Sequence, residues 1–360
     1  MKPALHSPTR YLHILVELLT EQGLDCAPVL ATFEVQREVL AHPEAQLPPL
    51  QALMLFRALA DLDGGSDIGL RVGKRVHFGA LGEAGRAILA CSDLHQGLRC
   101  WAEFYPLIAP SLALEVHRHA QHTELRWIPV RSIPYDFLLI AYDMAIGGLD
   151  TMLQSVIGKA WGKAWGGYDA YFTSPAPPHA AAYARLTLAR VHFDVPGLPC
   201  LRLHLDNDAL STPMPLSQPA ELAMLRQRLQ QRLAPTPMCG HWSAWVQLMV
   251  EQANGEQPTL EALAELVHVS PSTLTRHLRS EGTAFRELSN RIRHRKACHW
   301  LEAGQLSCTE IAQRLGYANL PSFVRAFKAM AGVAPTAHAQ RAVDVMAHKK
   351  SPERFRCEVR

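Results

Sequence analysis

No two of the eight cysteines (26, 91, 100, 200, 239, 298, 308 and 357) form a Cys-x-x-Cys pair. That scatter argues against a disulfide framework or a cysteine zinc site and fits thiols buried as small hydrophobes in a reducing compartment. Long apolar runs are missing too. The nearest, FLLIAYDMAIGGL from Phe137, carries Asp143 in its middle and falls short of the roughly 18–20 apolar residues that span a bilayer. The opening stretch MKPALHSPTRYLHILVELLTEQG places His13 and Glu17 where a secretory signal needs an apolar core and a cleavage site. A soluble, cytoplasmic chain with no membrane partner is the expectation. Catalytic signatures are also scarce: there is no Gly-x-Ser-x-Gly, and GKAWGKAWGG at 158–167 lacks the GxxxxGK(S/T) spacing of a phosphate loop. The chain is expected not to be an enzyme and to need no cofactor.

What is present is ordinary globular material, 360 residues with 48% apolar and 19% charged side chains, enough for two or three domains with real cores. The net charge of +3 hides an asymmetry. Residues 258–341 hold 11 Lys/Arg against 6 Asp/Glu, a net of +5, and residues 342–360 add +2, so the first 257 carry −4. An acidic front and a basic back point to a polyanion-binding end.

The front half mixes periodicities. Apolar residues at helical spacing mark 11–23, 48–62 and two helices within 79–108 that meet at Ser92-Asp93. LALEVHRHAQHTELRWIPV then alternates on both sides of Ala120-Gln121, a hairpin pattern, and a long helix follows from about 134 to 159. Strands are predicted at 168–172, 191–195 and 200–205 around a helix at 178–185, which makes residues 1–233 an α+β domain. APTPMCG at 234–240 breaks the strong helix at 219–233 and is assigned as the linker. Residues 241–341, starting with a helix in HWSAWVQLMVEQANG, are expected to be all helical, and 342–360 to form a flexible basic tail.

The back half contains an internal repeat. Leu263, Ala264, Val267 and Val269 match Ile311, Ala312, Leu315 and Tyr317 at an offset of 48, and Leu274, Arg276, Leu278 and Arg279 match Phe323, Arg325, Phe327 and Lys328 at 49. The small alanines suit a steep helix crossing, and His268 and Gly316 occupy the turns, where positive φ is needed. Thr259, Ser270-Pro271, the capping box Ser307-Cys308-Thr309-Glu310, and Asn319 are placed to start the helices; Gly282 and Gly332 lie just beyond two helix ends. Each unit, 260–282 and 309–332, is a helix-turn-helix pattern whose second helix fits the major groove of double-stranded DNA. The predicted helix at 284–303 between them is about 30 Å long, close to the ~34 Å between successive major-groove segments on one face of a duplex.

Residues 258–341, with EIAQRLGYANLPSFVRAFKAMAGVAP, resemble the DNA-binding domain of the arabinose-regulator (AraC/XylS) transcription factors. SDIGLRVGKRVHFGALGEAGRAILACSDLHQGLRCWAEFYPLI resembles the family's arabinose-binding-type N-terminal domain, a name that does not imply arabinose as ligand. The resemblance implies an α+β effector or dimerisation domain followed by an all-α domain with two helix-turn-helix units joined by a linker helix. It further implies a sequence-specific activator that binds promoter DNA as a homodimer, contacts RNA polymerase and answers to a small-molecule effector. The family's base-reading positions fall on Ser272, Thr275 and Arg276 in the first unit and on Pro321, Ser322 and Arg325 in the second, with Arg279 and Lys328 on phosphates. Leu320-Pro321 departs from the usual polar pair, so the second unit is expected to meet a thymine methyl or mainly the backbone.

Several features carry alternatives. Arg276 and Arg325 can instead brace the fold through Glu265 or Glu310, and Arg291, Arg293, Arg295 and Lys296 are expected to face solvent. His117, His119 and His122 have a metal-compatible spacing with no carboxylate or cysteine to complete it, so no metal is assigned. Trp161, Trp165, Tyr168, Tyr171 and Phe172 either line an effector pocket or pack the core. Two other functions remain open at this point. One is a DNA-repair methyltransferase with a similar back domain, which needs an activated cysteine; the other is a DNA binder indifferent to sequence.

Overall fold

The computed structural model describes residues 7–42, 45–160, 166–214, 216–233 and 241–341. The 234–240 linker, the 342–360 tail, Trp161 and Trp165 lie outside the described residues. The chain divides into two compact units, Met1–Val195 with Pro199–His241, and Pro196–Leu198 with Trp242–Arg360.

The first unit is α+β. Its helices are α1 (Arg10–Glu21), α2 (Ala27–Thr32), α3 (Arg37–Ala41), α4 (Pro49–Asp63), α5 (Ile68–Gly73), α6 (Glu83–Leu89), α7 (Leu94–Phe104), α8 (Tyr135–Ala160), α9 (Asn207–Leu210) and α10 (Pro219–Arg232). A two-residue pairing joins β1 (Ser7–Pro8) to β2 (Gln46–Leu47). The main sheet contains β3 (Leu112–Arg118), β4 (His122–Pro129), β5 (Tyr168–Phe172), β6 (Ala189–His192) and β7 (Leu201–Asp206) in the order β3-β4-β7-β5-β6. All neighbours are antiparallel except β5 and β6.

Period-two alternation gives this sheet two unlike faces. Leu125, Trp127, Tyr168, Ala170, Leu201, Leu203 and Leu205 are fully buried on one. Trp101 of α7 meets Trp127 edge-on at 5.8 Å there, and Tyr142 of α8 meets Phe172 at 6.5 Å. The opposite face carries Glu124 across from His204 and Arg126 across from Arg202. Tyr171 lies on that polar face, stacked on His192 at 4.8 Å, while Tyr168 and Phe172 are core. The described part of the aromatic run is therefore split between core and surface.

α5 and α8 cross closely because glycines meet there: a Cβ on Gly73 would lie 2.6 Å from the Met144 carbonyl oxygen, and one on Gly69 2.8 Å from that of Ile140. Two aspartates of α8 are buried but satisfied. Asp150 accepts from the N–H groups of Thr187 and Leu188, each at 3.1 Å, and Asp143 meets His179 at 3.0 Å and the Tyr183 hydroxyl.

Three expectations shift. The strand predicted at 191–195 runs instead over Ala189–His192, because Asp194 takes φ +60° and turns the chain. The helix at 178–185 is a 3-10 stretch, Ala180–Arg185. The histidine hairpin does have carboxylates: Glu115 meets His117 at 2.8 Å, and Glu124 lies 3.9 Å from His119 and 3.6 Å from His204. Among the described residues no group of three or more His, Cys, Asp or Glu is arranged to hold a metal, and no helix is long and apolar enough to cross a membrane.

The second unit is helical: α11 (Trp242–Gln252), α12 (Leu260–Leu266), α13 (Pro271–Ser280), α14 (Phe285–Ala303), α15 (Cys308–Arg314) and α16 (Leu320–Ala331).

Candidate nucleic-acid interface

Capping chemistry starts the first module's helices. The Thr259 hydroxyl accepts from the Ala262 N–H and that of Ser270 from the Thr273 N–H, both at 3.1 Å, so orphan donors at the starts of α12 and α13 are satisfied. Between them His268 turns the chain with φ +53°. Leu263, Ala264, Val267, Leu274 and Leu278 are buried, as are Trp245, Val246 and Met249 of α11. With one face of α13 committed to that core, Ser272, Arg276 and Arg279 remain exposed and Thr275 half-buried, three or four residues apart on one side of the helix. The Thr275 hydroxyl donates to the Pro271 carbonyl at 2.9 Å, which leaves its methyl and a lone pair for other contacts.

The second module repeats the plan. Ser307 and Glu310 form the expected capping box: the Ser307 hydroxyl accepts from the Glu310 N–H at 3.3 Å, and the Glu310 carboxylate accepts from the Ser307 N–H at 2.7 Å. The Ser307 hydroxyl also donates to that carboxylate at 2.7 Å, and this bond first, then the one from the Ser307 N–H, holds the Glu310 carboxyl below its usual pKa. The Asn319 side chain accepts from the Ser322 N–H at 2.9 Å to start α16, and Gly316 makes the turn at φ +70°. Ile311, Ala312, Leu315, Phe323 and Phe327 form the module's core with Ala297 and Leu301 of α14. Pro321, Arg325 and Lys328 are exposed and Ser322 is half-buried. Leu320 is partly buried against the same core.

α14 joins the modules as one unbroken helix of 19 residues, about 28 Å long. Its buried residues shift from Leu288, Ser289 and Ile292 near one end to Ala297 and Leu301 near the other, as a rod packed against two cores requires. The cations expected to face solvent on it are in part tied down. Arg295 pairs with Glu251 of α11, the Lys296 ammonium donates to the Val250 carbonyl at 3.4 Å, and the Arg293 guanidinium lies 5.5 Å from the Tyr317 ring centre. Burial pushes the Lys296 pKa down. Arg291 fits the expectation better, in an exposed pair with Glu287 at 3.1 Å.

The proposed readers are different. Among the described residues the side chains of Arg276, Arg279 and Lys328 make no hydrogen bond or ion pair, and that of Arg325 has one long contact, 3.5 Å to the Ser322 hydroxyl. The bracing by Glu265 or Glu310 does not occur; Glu310 is occupied by its cap. Four cations on the outer faces of two short helices are left to solvent. Such a surface attracts a polyanion.

The sequence reading missed how α11 is anchored. The Glu281 carboxylate, just past α13, accepts from the N–H groups of Trp242 at 2.7 Å and Ser243 at 2.8 Å, and the Trp242 ring stacks on His277 at 4.6 Å. A carboxylate at a helix C-terminus is electrostatically unfavourable for that helix. That oddity was the available signal, and the N-terminus of α11 explains it.

Family models match both parts of the chain. The family described as the arabinose-binding domain of AraC transcription regulators, N-terminal, matches residues 23–214, more than half of the chain, and a helix-turn-helix domain family matches residues 263–341. The ornithine utilization regulator of Pseudomonas aeruginosa is 29% identical over 329 residues, covering 91% of this chain and 95% of that protein. An uncharacterized HTH-type transcriptional regulator of Mycobacterium tuberculosis is 26% identical over 358 residues, covering 93% and 96%. Among solved structures, the transcriptional regulator CdpR from Pseudomonas aeruginosa aligns with a TM-score of 0.42 at 18% identity, over 88% of this chain and 96% of that one. With its front domain and its paired helix-turn-helix region both matched, the chain belongs to the family of AraC transcription regulators.

Proposed function

We propose that the chain is a cytoplasmic, sequence-specific activator that reads promoter DNA with α13 and α16 in two major-groove segments on one face of the duplex. Arg276 and Arg325 contact guanine edges or phosphates, Ser272, Thr275, Pro321 and Ser322 line the same faces, and Arg279 and Lys328 hold phosphates. The observation that carries the reading is the recurrence of an exposed arginine without an acidic partner at the same position of two braced helices, one at each end of an intact rod. The chain works as a homodimer, a small-molecule effector bound in the first unit shifts which DNA-bound arrangement is populated, and the bound dimer touches RNA polymerase. No catalytic step is part of this reading, in keeping with the regulator names of its relatives.

Footprinting on the DNA upstream of its own gene tests it. Each protomer should protect two major-groove segments about one helical turn apart. Equal affinity for random DNA would leave only the sequence-indifferent binder. Unchanged DNA affinity, spacing preference and promoter output across a broad metabolite panel, ornithine included, would remove the effector.

A further inference from the structure

We infer that Trp242, His277 and Glu281 are positioning residues that tie the reading helix α13 to the start of α11, so that DNA reading by the first module, unlike the second, depends on how the chain enters from the linker. The inference rests on the two-module reading above and adds a means of regulation to it. The Glu281 carboxylate stands directly after α13 and spreads over the first turn of α11. One oxygen accepts from the Trp242 N–H at 2.7 Å, the other from the Ser243 N–H at 2.8 Å and the Ser243 hydroxyl at 2.6 Å. It thus caps a helix that begins 39 residues earlier in the chain, at the end where the dipole favours negative charge. The Trp242 ring completes the tie. It is buried, lies flat on His277 at 4.6 Å with 8° between the planes, and meets Trp245 edge-on at 6.2 Å.

The internal repeat sets these groups apart from the general plan of a module. At the offset of 49 that relates α13 to α16, Arg276 matches Arg325, but His277 matches Ala326 and Glu281 matches Met330, which is 46% exposed. The second module keeps its cap, turn and core with neither the ring nor the carboxylate, so folding of a module does not call for the clasp. What distinguishes the first module is its place in the chain. Trp242 follows His241 and the 234–240 linker, so a displacement arriving along the linker meets the clasp at its first residue. At its other end α11 is tied to α14, by Glu251 on Arg295 and by the Lys296 ammonium on the Val250 carbonyl at 3.4 Å. Moving the start of α11 therefore means breaking the carboxylate bonds or the ring stack, and both are anchored on α13 beside the reader Arg276. Once released, Glu281 stays at the C-terminal end of α13, where a negative charge opposes the helix dipole, and the last turn loosens.

Hydrogen exchange of the full chain, and its footprint on the cognate fragment, test the assignment. Glu281→Gln keeps the shape but offers a single neutral acceptor. It should speed exchange at the Trp242 and Ser243 amides and weaken protection of the first module's DNA segment about tenfold, leaving the second module's segment and the salt slope unchanged. His277→Ala should weaken the same segment, and His277→Phe, which keeps a flat ring beneath Trp242, should restore it. Deleting residues 236–238 of the linker should speed exchange in the last turn of α13 and leave α16 unchanged, with no further effect once Glu281→Gln is present. Should Glu281→Gln fail to fold, the His277 pair and the linker deletion still decide. Equal loss of protection at both segments in Glu281→Gln or His277→Ala, or α13 exchange untouched by the linker deletion, would overturn the assignment. Exchange is read without DNA, so the expected exchange pattern in a chain that protects no cognate site would uphold the clasp and overturn the DNA-reading function instead.

Discussion

Replacing Arg276 or Arg325 by alanine is expected to weaken binding to the cognate site by about 1–3 kcal/mol each, or roughly 5- to 150-fold in Kd. The structure makes this a clean perturbation. Both side chains are exposed and neither has an acidic partner among the described residues, so alanine removes no intramolecular ion pair. Fold stability should move by less than about 0.5 kcal/mol. The two losses should add, because the arginines project from modules whose buried cores are separate and joined by α14. A guanine contact and a phosphate contact also part ways in the same assay. Base reading costs affinity on the cognate fragment alone, whereas a phosphate contact costs about the same on random DNA and lowers the salt slope by about one. Gel-shift titrations at two salt concentrations, on cognate and random fragments, with the single and double variants, give every term. Losses of only a few tenths of a kcal/mol for both single variants would refute the placement of the readers, and a double variant no weaker than one single variant would refute simultaneous engagement by one rod.

The same structure yields further expectations. Gly73→Ala places a Cβ 2.6 Å from the Met144 carbonyl oxygen and should cost about 1–3 kcal/mol in denaturant titration; a loss within 0.5 kcal/mol would mean that α5 and α8 do not pack this tightly. Asn319→Ala removes the cap of α16 and should cost about 1 kcal/mol, seen as faster hydrogen exchange of the first-turn amides, with Asn319→Ser largely restoring protection. Asp169 is held down to about 2 by the Arg190 fork, so its contribution is fully present above the unfolded carboxyl value near 4 and is lost as pH falls from about 4 to about 2. With Arg190 half exposed, that contribution is about 1 kcal/mol, and Arg190→Gln should remove this part of the acid dependence of stability.

How far the sequence led depended on whether the determining chemistry was local. The two modules were legible because a cap, a turn residue and a core stripe all sit within about twenty residues of one another: Thr259, Ser270, Ser307 and Asn319 cap as expected, and His268 and Gly316 take positive φ. The hairpin of β3 and β4 was legible for the same reason. The insertion of β7 between β4 and β5 was not, because strand order is decided by pairing between residues some 80 apart, such as Leu125 with Leu203, and alternation alone does not name a partner. Asp194 shows the converse failure: one residue with φ +60° ended a strand that apolar spacing would have carried on.

The candidate sites divide along the same line. The outer faces of α13 and α16 could be read from helical spacing because whatever the core does not take is left outside, and Arg276, Arg325, Arg279 and Lys328 were left over. Arg295 broke that rule, since a side chain between two modules can be claimed by a neighbour that the spacing does not reveal. A cavity of about 630 Å³ in the first unit had no local signature at all. Phe56 comes from α4, Leu112 from β3 and Met144 from α8, so folding alone brings its apolar walls together. The DNA-facing half of a regulator that repeats a short module can thus be inferred from the order of its residues, whereas the ligand-facing half is set by a shape that only the folded chain supplies.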